Sequence, residues 1–400
     1  MSQLPGQAPK LDGWPTLFAY GFRPFFLGAG IYALLAMLGW LASHFGLSLL
    51  AHATAVGHGH EMLIGYAAAV LAGFLLTAVP SWTGGEPIRG ARLAVLFGLW
   101  LAGRIAFWFA PALPSALVVA ADLVFLPALA LMLIVPLARA EKKHNLVFVL
   151  LLLLLTAGNL TIHLEKLGVS QPGASYGLLV TADLFALLIT IIGGRVIPSF
   201  TSNASTASGR ADRVIRHPLL DRAAIGAMAL LLLADLVVPE SWLGGAVALA
   251  AALVQAVRLA LWRPLANLRA PILWILHLSY GWLVVALAVK GFGGVTDLIA
   301  PSLGIHVLTI GAIGGMTLAF MTRASLGHTG RALEAHPLTV AAYGLISMAV
   351  LARVALPLAD ARLYALGMTL SGAAWALAFA LFAAVYAPIL TRPRRDGRPG

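Results

Sequence analysis

Two histidines and a glutamate open a long apolar run in the segment VGHGHEMLIGY, residues 56–66. Ionisable side chains are costly in hydrocarbon, and those found inside membrane helices usually face the bundle interior and mark a functional site. Neutral imidazole is a common ligand of iron and copper, so His58 and His60 are candidate metal ligands. Glu61 is a candidate to orient a ligating ring or to carry protons. The alternative for Glu61 is a carboxylate stabilised by its position at a helix start.

The composition places these residues in a membrane. Of 400 residues, 60% are hydrophobic and only 10% are charged, which is unlike soluble globular chains. The apolar runs are long enough to cross about 30 Å of hydrocarbon as helices, and they lack the apolar–polar alternation of barrel strands. Cysteine is absent, which excludes disulfides, thiolate metal sites, iron–sulfur clusters and haem attached through C-x-x-C-H. We therefore predict an all-α integral membrane protein in which any haem is held non-covalently.

About twelve transmembrane helices are predicted, near residues 24–45, 58–80, 92–110, 114–138, 145–167, 176–200, 217–238, 241–262, 270–290, 297–322, 336–357 and 361–390. Lys and Arg concentrate in the tails and in the loops after spans two, four, six, eight and ten. By the positive-inside rule both termini are cytoplasmic, in tails 1–17 and 391–400 that flank a single transmembrane domain, 18–390. The formal net charge of +11 then reflects topology and contact with the lipid bilayer, with no need of nucleic acid.

The histidines fall into two groups by expected depth. Five are expected inside the spans: His58, His60, His163, His277 and His306. The alternative to metal ligation is that these rings are hydrogen-bonded inside a polar bundle. His328 is expected just past the cytoplasmic end of span ten. The remaining five are interpreted as interfacial residues: His44, His52, His144, His217 and His336.

An internal repeat relates spans two, six and ten. Laying AVPSWTGG (78–85) over VIPSFTSN (196–203) and ASLGHTGR (324–331) aligns three threonines: Thr83, Thr201 and Thr329. The same register places His60 on His306, with Leu178 at that position in the second repeat. The short motifs GRI, ADL and ARV place three charged residues at comparable points of spans three, seven and eleven: Arg104, Asp235 and Arg353. These matches predict three four-helix repeats, approximately 18–138, 145–262 and 270–390, in a pseudo-threefold bundle.

Two histidines at equivalent depth on two helices of a bundle suit bis-axial ligation of a haem iron. His60 and His306 are therefore the predicted axial ligands of any haem b that the protein holds. In the alternative, His277 is an axial ligand and the His58/His60 pair holds a second metal with His163. A one-residue spacer turns His58 and His60 about 200° apart when both are helical. They are therefore not expected to bind one iron together, and they could serve different metals if the helix begins at or after His58, so that the first ring bends away.

Several motifs resemble the NnrS family of bacterial inner-membrane proteins that contain haem and copper. They are GFRPFFLGAG (21–30), HGHEMLIGYAAAVLAGFLLTAVPSWTG (58–84), GNLTIHLEK (158–166), GGRVIPSFT (193–201), LHLSYGW (276–282) and IHVLTIGAIGGMTLAFMTRASLGHTGR (305–331). The resemblance runs from about residue 18 to 331 and continues more weakly to the end. It implies a non-covalent haem, copper, and a role in handling nitric oxide during denitrification or nitrosative stress.

Copper would need histidines other than the two assigned to haem. A histidine-only copper site takes two to four imidazoles at close range. The candidates are His58, His163 and His277, with His328 on the cytoplasmic side.

Haem propionates need cationic partners, and arginine suits them best. The candidates are Arg23, Arg195 and Arg323, at the expected cytoplasmic ends of spans one, six and ten; the alternative is that they report only topology. Three aspartates lie in or near spans: Asp122, Asp183 and Asp235. They either line a proton route or join helices, and joining helices is the preferred interpretation for any one of them.

Two classes of function compete. In the first, haem and copper bind nitric oxide and reduce or otherwise dispose of it. The protein would then be an oxidoreductase of the nitric oxide reductase type, with an electron donor that the sequence does not identify. In the second, the protein is a proton-coupled transporter, because twelve spans with internal repeats also fit a transporter. A non-catalytic, haem-based protein that responds to nitric oxide is a third possibility.

Overall fold

The computed structural model describes residues 15–47, 54–169, 174–207 and 214–397. The regular secondary structure of these residues is helical, and they contain no strand. The predicted N-terminal tail lies almost wholly outside the described residues. Twelve long helices follow one another along the chain: α1 Phe22–His44, α2 Ala55–Thr83, α3 Ala91–Trp108, α4 Ser115–Arg139, α5 Val147–Lys166, α6 Ala174–Ala207, α7 Pro218–Val237, α8 Trp242–Leu261, α9 Pro271–Thr296, α10 Pro301–His328, α11 Pro337–Ala359 and α12 Tyr364–Thr391. The all-α fold class is confirmed.

Eleven helices in the described part of the chain are long and apolar enough to cross a membrane. The remaining long helix, α7, spans 20 residues but carries three charged side chains: Asp221, Arg222 and Asp235. The predicted boundaries agree closely with most of these helices. Helix α6 runs further than predicted, to Ala207, and passes through Pro198. Transmembrane helices tolerate such prolines because neighbouring groups satisfy the freed backbone carbonyl.

Two helices contain a π-helical segment directly after a histidine. In α2 the segment is Glu61–Ala67, which follows His60. In α10 it is Val307–Gly314, which follows His306. The two histidines that the repeat alignment pairs therefore occupy the same local position in their helices. Helix α6 is α-helical from Ala174 to Ala207, so this local geometry recurs in two of the three aligned helices.

Two compact units make up the chain. The first contains residues 1–178, 320–339 and 379–400, and the second contains residues 179–319 and 340–378. In the first unit, α1 packs closely on α2, where a Cβ added to Gly73 would lie 2.7 Å from the Phe26 ring.

In the second unit, α8 and α9 approach through glycines. A Cβ added to Gly245 would lie 2.8 Å from the backbone of Gly294. Such small residues let membrane helices approach closely, because packing drives their association.

Candidate metal centre

His60 lies at the end of the first segment of α2, Ala55–His60. Thr54 caps this segment by accepting a hydrogen bond from Gly57 N at 3.0 Å, and the π-helical segment follows. Short π-helical insertions occur frequently at functional sites. His60 is fully buried, and its ring stacks on Phe107 from α3 with 4.2 Å between the ring centroids.

Both ring nitrogens of His60 face oxygen atoms. Nδ1 lies 2.7 Å from Glu61 Oε1, whereas Nε2 lies 3.0 Å from Asp122 Oδ2 and 2.9 Å from Asn159 Oδ1. The amide nitrogen of Asn159 donates to Asp122 Oδ2 at 2.8 Å, so the amide oxygen faces the imidazole. Neutral imidazole carries one N–H, and one ring nitrogen must therefore present a lone pair to oxygen acceptors. A metal cation on that lone pair, or a second proton, removes the conflict.

Arg104 from α3 joins the two carboxylates of this cluster. Its guanidinium donates to Glu61 Oε1 at 2.5 Å and to Asp122, and all three side chains are almost completely buried. Two carboxylates and one guanidinium give a net charge of −1 when the histidines are neutral. Because a buried uncompensated charge is costly, one further positive charge, from a proton or a metal ion, would stabilise the cluster.

His163 from α5 completes the group. Its Nε2 lies 2.7 Å from Asp122 Oδ2, the same oxygen that faces His60. One donor atom from each of His60, Asp122 and His163 lies within 4.8 Å of the other two. In the described part of the chain, these three residues form the one such group of His, Asp and Glu side chains. Two imidazoles and a carboxylate make a donor set that suits copper, zinc or iron.

The surroundings of His60 also match those of a metal ligand. Metal-binding histidines almost always donate the second ring N–H to a carboxylate or a carbonyl, which fixes the tautomer. Here Nδ1 faces Glu61, which leaves Nε2 as the binding nitrogen on the side of Asp122 and His163. The residues present therefore fit a metal ion, with Glu61 and Arg104 holding the ligands in place.

His58, predicted as a copper candidate, lies on another side of α2. Its ring stacks on Trp40 from α1, with 4.6 Å between centroids and 20° between planes. The helix begins at Ala55, because Thr54 supplies the cap. The helix therefore begins before His58, so the first ring does not bend away as considered above. Both histidines are helical and point in different directions.

His306, predicted as a haem ligand, lies in the second unit at the start of α10. Its Nδ1 donates to Ser302 O at 2.5 Å, one turn earlier in the same helix. This hydrogen bond selects the tautomer in which Nε2 is the nitrogen that binds a metal. His306 therefore has the backbone contact expected of an axial ligand.

The other two histidine candidates lie outside the cluster. His277 is buried in the second unit, where Nε2 is 3.2 Å from Thr201 Oγ1 and Nδ1 is 3.1 Å from Leu273 O. His328 ends α10 and stacks on Tyr20, with 6.1 Å between ring centroids.

The three arginines predicted to bind propionates differ in burial. Arg23 is fully buried and donates from Nη1 to Leu390 O at 2.8 Å and to Arg392 O at 2.9 Å. These are carbonyls at and just beyond the end of α12, so Arg23 stabilises that helix end. Arg195 and Arg323 are only half-buried, on α6 and α10 respectively.

Three members of the cluster were not assigned to it from sequence: Arg104, Asp122 and Asn159. Arg104 and Asp122 carry the available signal, since each is charged and falls inside a predicted span. Asn159 lies in the motif GNLTIH one turn before His163, on the same helix face. The contacts join α2, α3 and α4 of the first predicted repeat to α5, the first helix of the second, and such contacts depend on tertiary packing.

A family model described as NnrS protein matches residues 16–394. The comparison with curated proteins found no significant match. The matched range includes all twelve helices and every member of the His60 cluster. It therefore extends the resemblance carried by the motifs between residues 18 and 331. The chain is a multi-pass membrane protein that belongs to the NnrS family.

Proposed function

We propose that this protein binds copper through His60, His163 and Asp122, binds haem b through His306, and uses both to bind and dispose of nitric oxide. The observation that carries the proposal is the approach of His60 and His163 to one carboxylate oxygen, inside a buried cluster with a net negative charge. Membership of the NnrS family supports the link to nitric oxide.

Bound copper and haem would supply the redox chemistry and the site for nitric oxide. The protein's own groups fix the ligands and exclude water. Glu61 accepts the Nδ1 proton of His60, and Arg104 holds Glu61 and Asp122 in place. Phe107 covers one face of the His60 ring. Without a metal, one ring nitrogen of His60 presents a lone pair to an oxygen acceptor.

Copper is favoured over zinc by the family and by the charge of the cluster. A monovalent copper ion would bring the net charge of −1 to zero, whereas a divalent ion would leave an excess of one positive charge. A mixed donor set of imidazole and carboxylate binds either metal. Metal analysis of the purified protein therefore decides between them.

The bis-axial assignment of His60 and His306 is the competing proposal for haem. It requires His60 to release Asp122 and Asn159, because both ring nitrogens face hydrogen-bond partners. Under our proposal, His60→Ala lowers copper and keeps the haem spectrum, while His306→Ala abolishes the haem spectrum. If His60→Ala abolishes the low-spin haem spectrum and retains copper, the bis-axial assignment replaces ours.

Absorption spectroscopy of the purified protein, combined with metal analysis, tests the function. We expect a strong Soret band that shifts when nitric oxide is added, and copper bound in the same preparation. His58→Ala is the matched control, because His58 lies on the same helix and contacts Trp40. A correctly folded preparation with neither haem nor copper contradicts the redox proposal and leaves the proton-coupled transporter.

We also propose that the protein lies in the bacterial inner membrane with both termini in the cytoplasm. The distribution of Lys and Arg among the loops supports this orientation. A reporter fused to the C-terminus should be active only in the cytoplasm. Reporter activity on the outer side of the membrane would show that the topology is the opposite of the one proposed.

A further inference from the structure

A cavity of about 220 Å³ lies in the second unit. It is lined by residues of α6, α7, α8, α9 and α10, and several of these residues are glycines with no side chain to fill the space. A single buried water needs only about 10–15 Å³ of such volume. The cavity therefore has room for several water molecules.

Three charged side chains line this cavity and contact one another. Lys290 Nζ from α9 lies 2.5 Å from Asp235 Oδ2 of α7 and 3.2 Å from Asp183 Oδ1 of α6. The two carboxylates are almost completely buried, whereas the Lys290 side chain is 24% exposed. One ammonium thus lies between two carboxylates at the edge of a space that admits water.

The remaining charged groups that line the cavity are Glu240 and Asp297. Both are exposed residues at loop positions, Glu240 after α7 and Asp297 after α9. The lining residues of α8 and α10 carry no charge. The cavity therefore has an acidic outer part and a cluster with a net charge of −1 in its inner part when all three groups are ionised.

We propose that Asp183, Asp235 and Lys290 form a proton-binding site that exchanges protons with solvent through this cavity. A net charge buried in a membrane protein is costly, and one added proton makes the cluster neutral. The ammonium already occupies the cation position between the carboxylates, so a metal ion has no vacant pair of ligands there. The acidic residues at the outer part favour the entry of protons and disfavour anions.

The proposal is independent of copper, haem and nitric oxide, because it rests on residues and a cavity of the second unit alone. It makes one carboxyl group of the pair protonated at neutral pH. Protonated carboxyl groups have an infrared carbonyl band distinct from that of carboxylates, and the band shifts when the proton is replaced by deuterium.

Infrared difference spectroscopy of the full-length protein in lipid, with and without deuterium oxide, tests the site. The wild-type protein should show a protonated-carboxyl band that shifts promptly in deuterium oxide and decreases as pH is raised. In Asp183→Asn and in Asp235→Asn, the remaining carboxylate and Lys290 form a neutral pair. The protonated-carboxyl signal that comes from this cluster should therefore disappear. In Lys290→Met, both carboxyl groups should be protonated and the band should grow.

Asp221→Asn is the matched control, because Asp221 pairs with Arg258 at 2.7 Å and carries no surplus charge. It should leave the band unchanged. Asp297→Asn should keep the band but slow its deuterium shift, because it removes a carboxylate from the outer part of the cavity. Retention of the full band in both Asp183→Asn and Asp235→Asn would overturn the proposal. A wild-type band that does not shift in deuterium oxide would overturn exchange through the cavity.

Discussion

Each of the two units buries a cluster of two carboxylates and one basic side chain, and the clusters differ in what completes them. In the first unit, Arg104 joins Glu61 and Asp122 beside two histidines. In the second unit, Lys290 joins Asp183 and Asp235 beside a cavity. Both clusters have a net charge of −1 when their histidines, if any, are neutral. The first has donors that suit a metal ion, and the second lies at the edge of a cavity with room for water.

The basic residues suit these two roles. The guanidinium of Arg104 is always charged and donates through separate nitrogens to two carboxylates, so it gives a fixed frame for metal ligands. The ammonium of Lys290 is a compact, rotatable charge that can adjust as its partners gain or lose a proton. The same charge count therefore supports a rigid site in one unit and an adjustable site in the other.

Removal of the basic residue should produce the largest difference between the two clusters, in the loss of stability that follows. Arg104→Met leaves two buried carboxylates without compensation and should destabilise the protein by about 3–5 kcal/mol. Lys290→Met should destabilise it less, because protons reach Asp183 and Asp235 through the cavity and neutralise both. Denaturant unfolding in detergent measures the difference, with the exposed Arg139→Met as control. Equal losses for Arg104→Met and Lys290→Met would contradict the distinction between a closed and an accessible cluster.

Copper affinity should show the next largest difference between the two clusters. Loss of a ligand's hydrogen-bond partner typically lowers metal affinity by about 10–100-fold. His163→Ala removes a ligand itself and should therefore lower copper affinity by more than about 100-fold. Asp183→Asn in the second unit should leave copper affinity unchanged, since its cluster offers no imidazole among its contacts. Copper titration of both variants measures the effect. Loss of copper from Asp183→Asn, or full affinity in His163→Ala, would place the metal elsewhere.

A smaller effect should follow when the ligands stay and only their orientation is weakened. Glu61→Gln keeps the size of the side chain but replaces the charged acceptor of His60 Nδ1 with an amide. Copper affinity should fall by about 10–100-fold. The same titration applied to Glu86→Gln gives the control, because Glu86 lies exposed between α2 and α3. An unchanged affinity in Glu61→Gln would mean that Glu61 does not set the tautomer of His60.

The smallest expected effect is on haem retention, and it tests which unit binds the haem propionates. Arg195 belongs to the second unit and Arg323 to the first. A propionate contact at a half-buried arginine should contribute up to about 1 kcal/mol, or roughly fivefold in haem retention. Arg195→Ala should therefore lose haem faster than Arg139→Ala during dialysis with a haem acceptor, whereas Arg323→Ala should not, because Arg323 lies 17 residues after His306 on α10, about 25 Å along the helix axis. Equal retention in all three variants would remove the propionate assignment.

The number and order of the helices follow from the sequence, because apolar runs of sufficient length must be helical inside a bilayer. The ends are less predictable where a helix continues into polar residues. Helix α6 continues through SNASTA to Ala207, and these small residues give no hydropathy signal of a helix. Hydropathy predicts where a helix must be buried in lipid, and this α-helix extends beyond that length.

The site was only partly predictable. His60, Glu61 and His163 are identifiable because ionisable residues inside spans are rare. Their contact through Asp122 was not predictable, because it depends on how α2, α4 and α5 pack. The repeat alignment pairs Arg104 with Asp235, and each lies in the buried cluster of its unit. Repeats thus indicate where buried charges lie, but the partners of those charges differ between repeats.

Each π-helical segment shifts the angular phase of its helix. His60 and Thr83 are separated by as many residues as Leu178 and Thr201, yet α2 contains one extra residue in its π-helical turn and α6 does not. Since one residue turns an α-helix by about 100°, the angular equivalent of His60 in α6 is Leu179, which lines the cavity of the second unit. A regular α-helix that kept every residue of 61–67 would turn His60 by about 100° from Asp122, whereas deletion of one residue there would restore the regular helix and leave His60 facing Asp122. The π-helical turn thus decides which interior surface His60 faces, although the number of residues between the aligned positions is the same in α2 and α6.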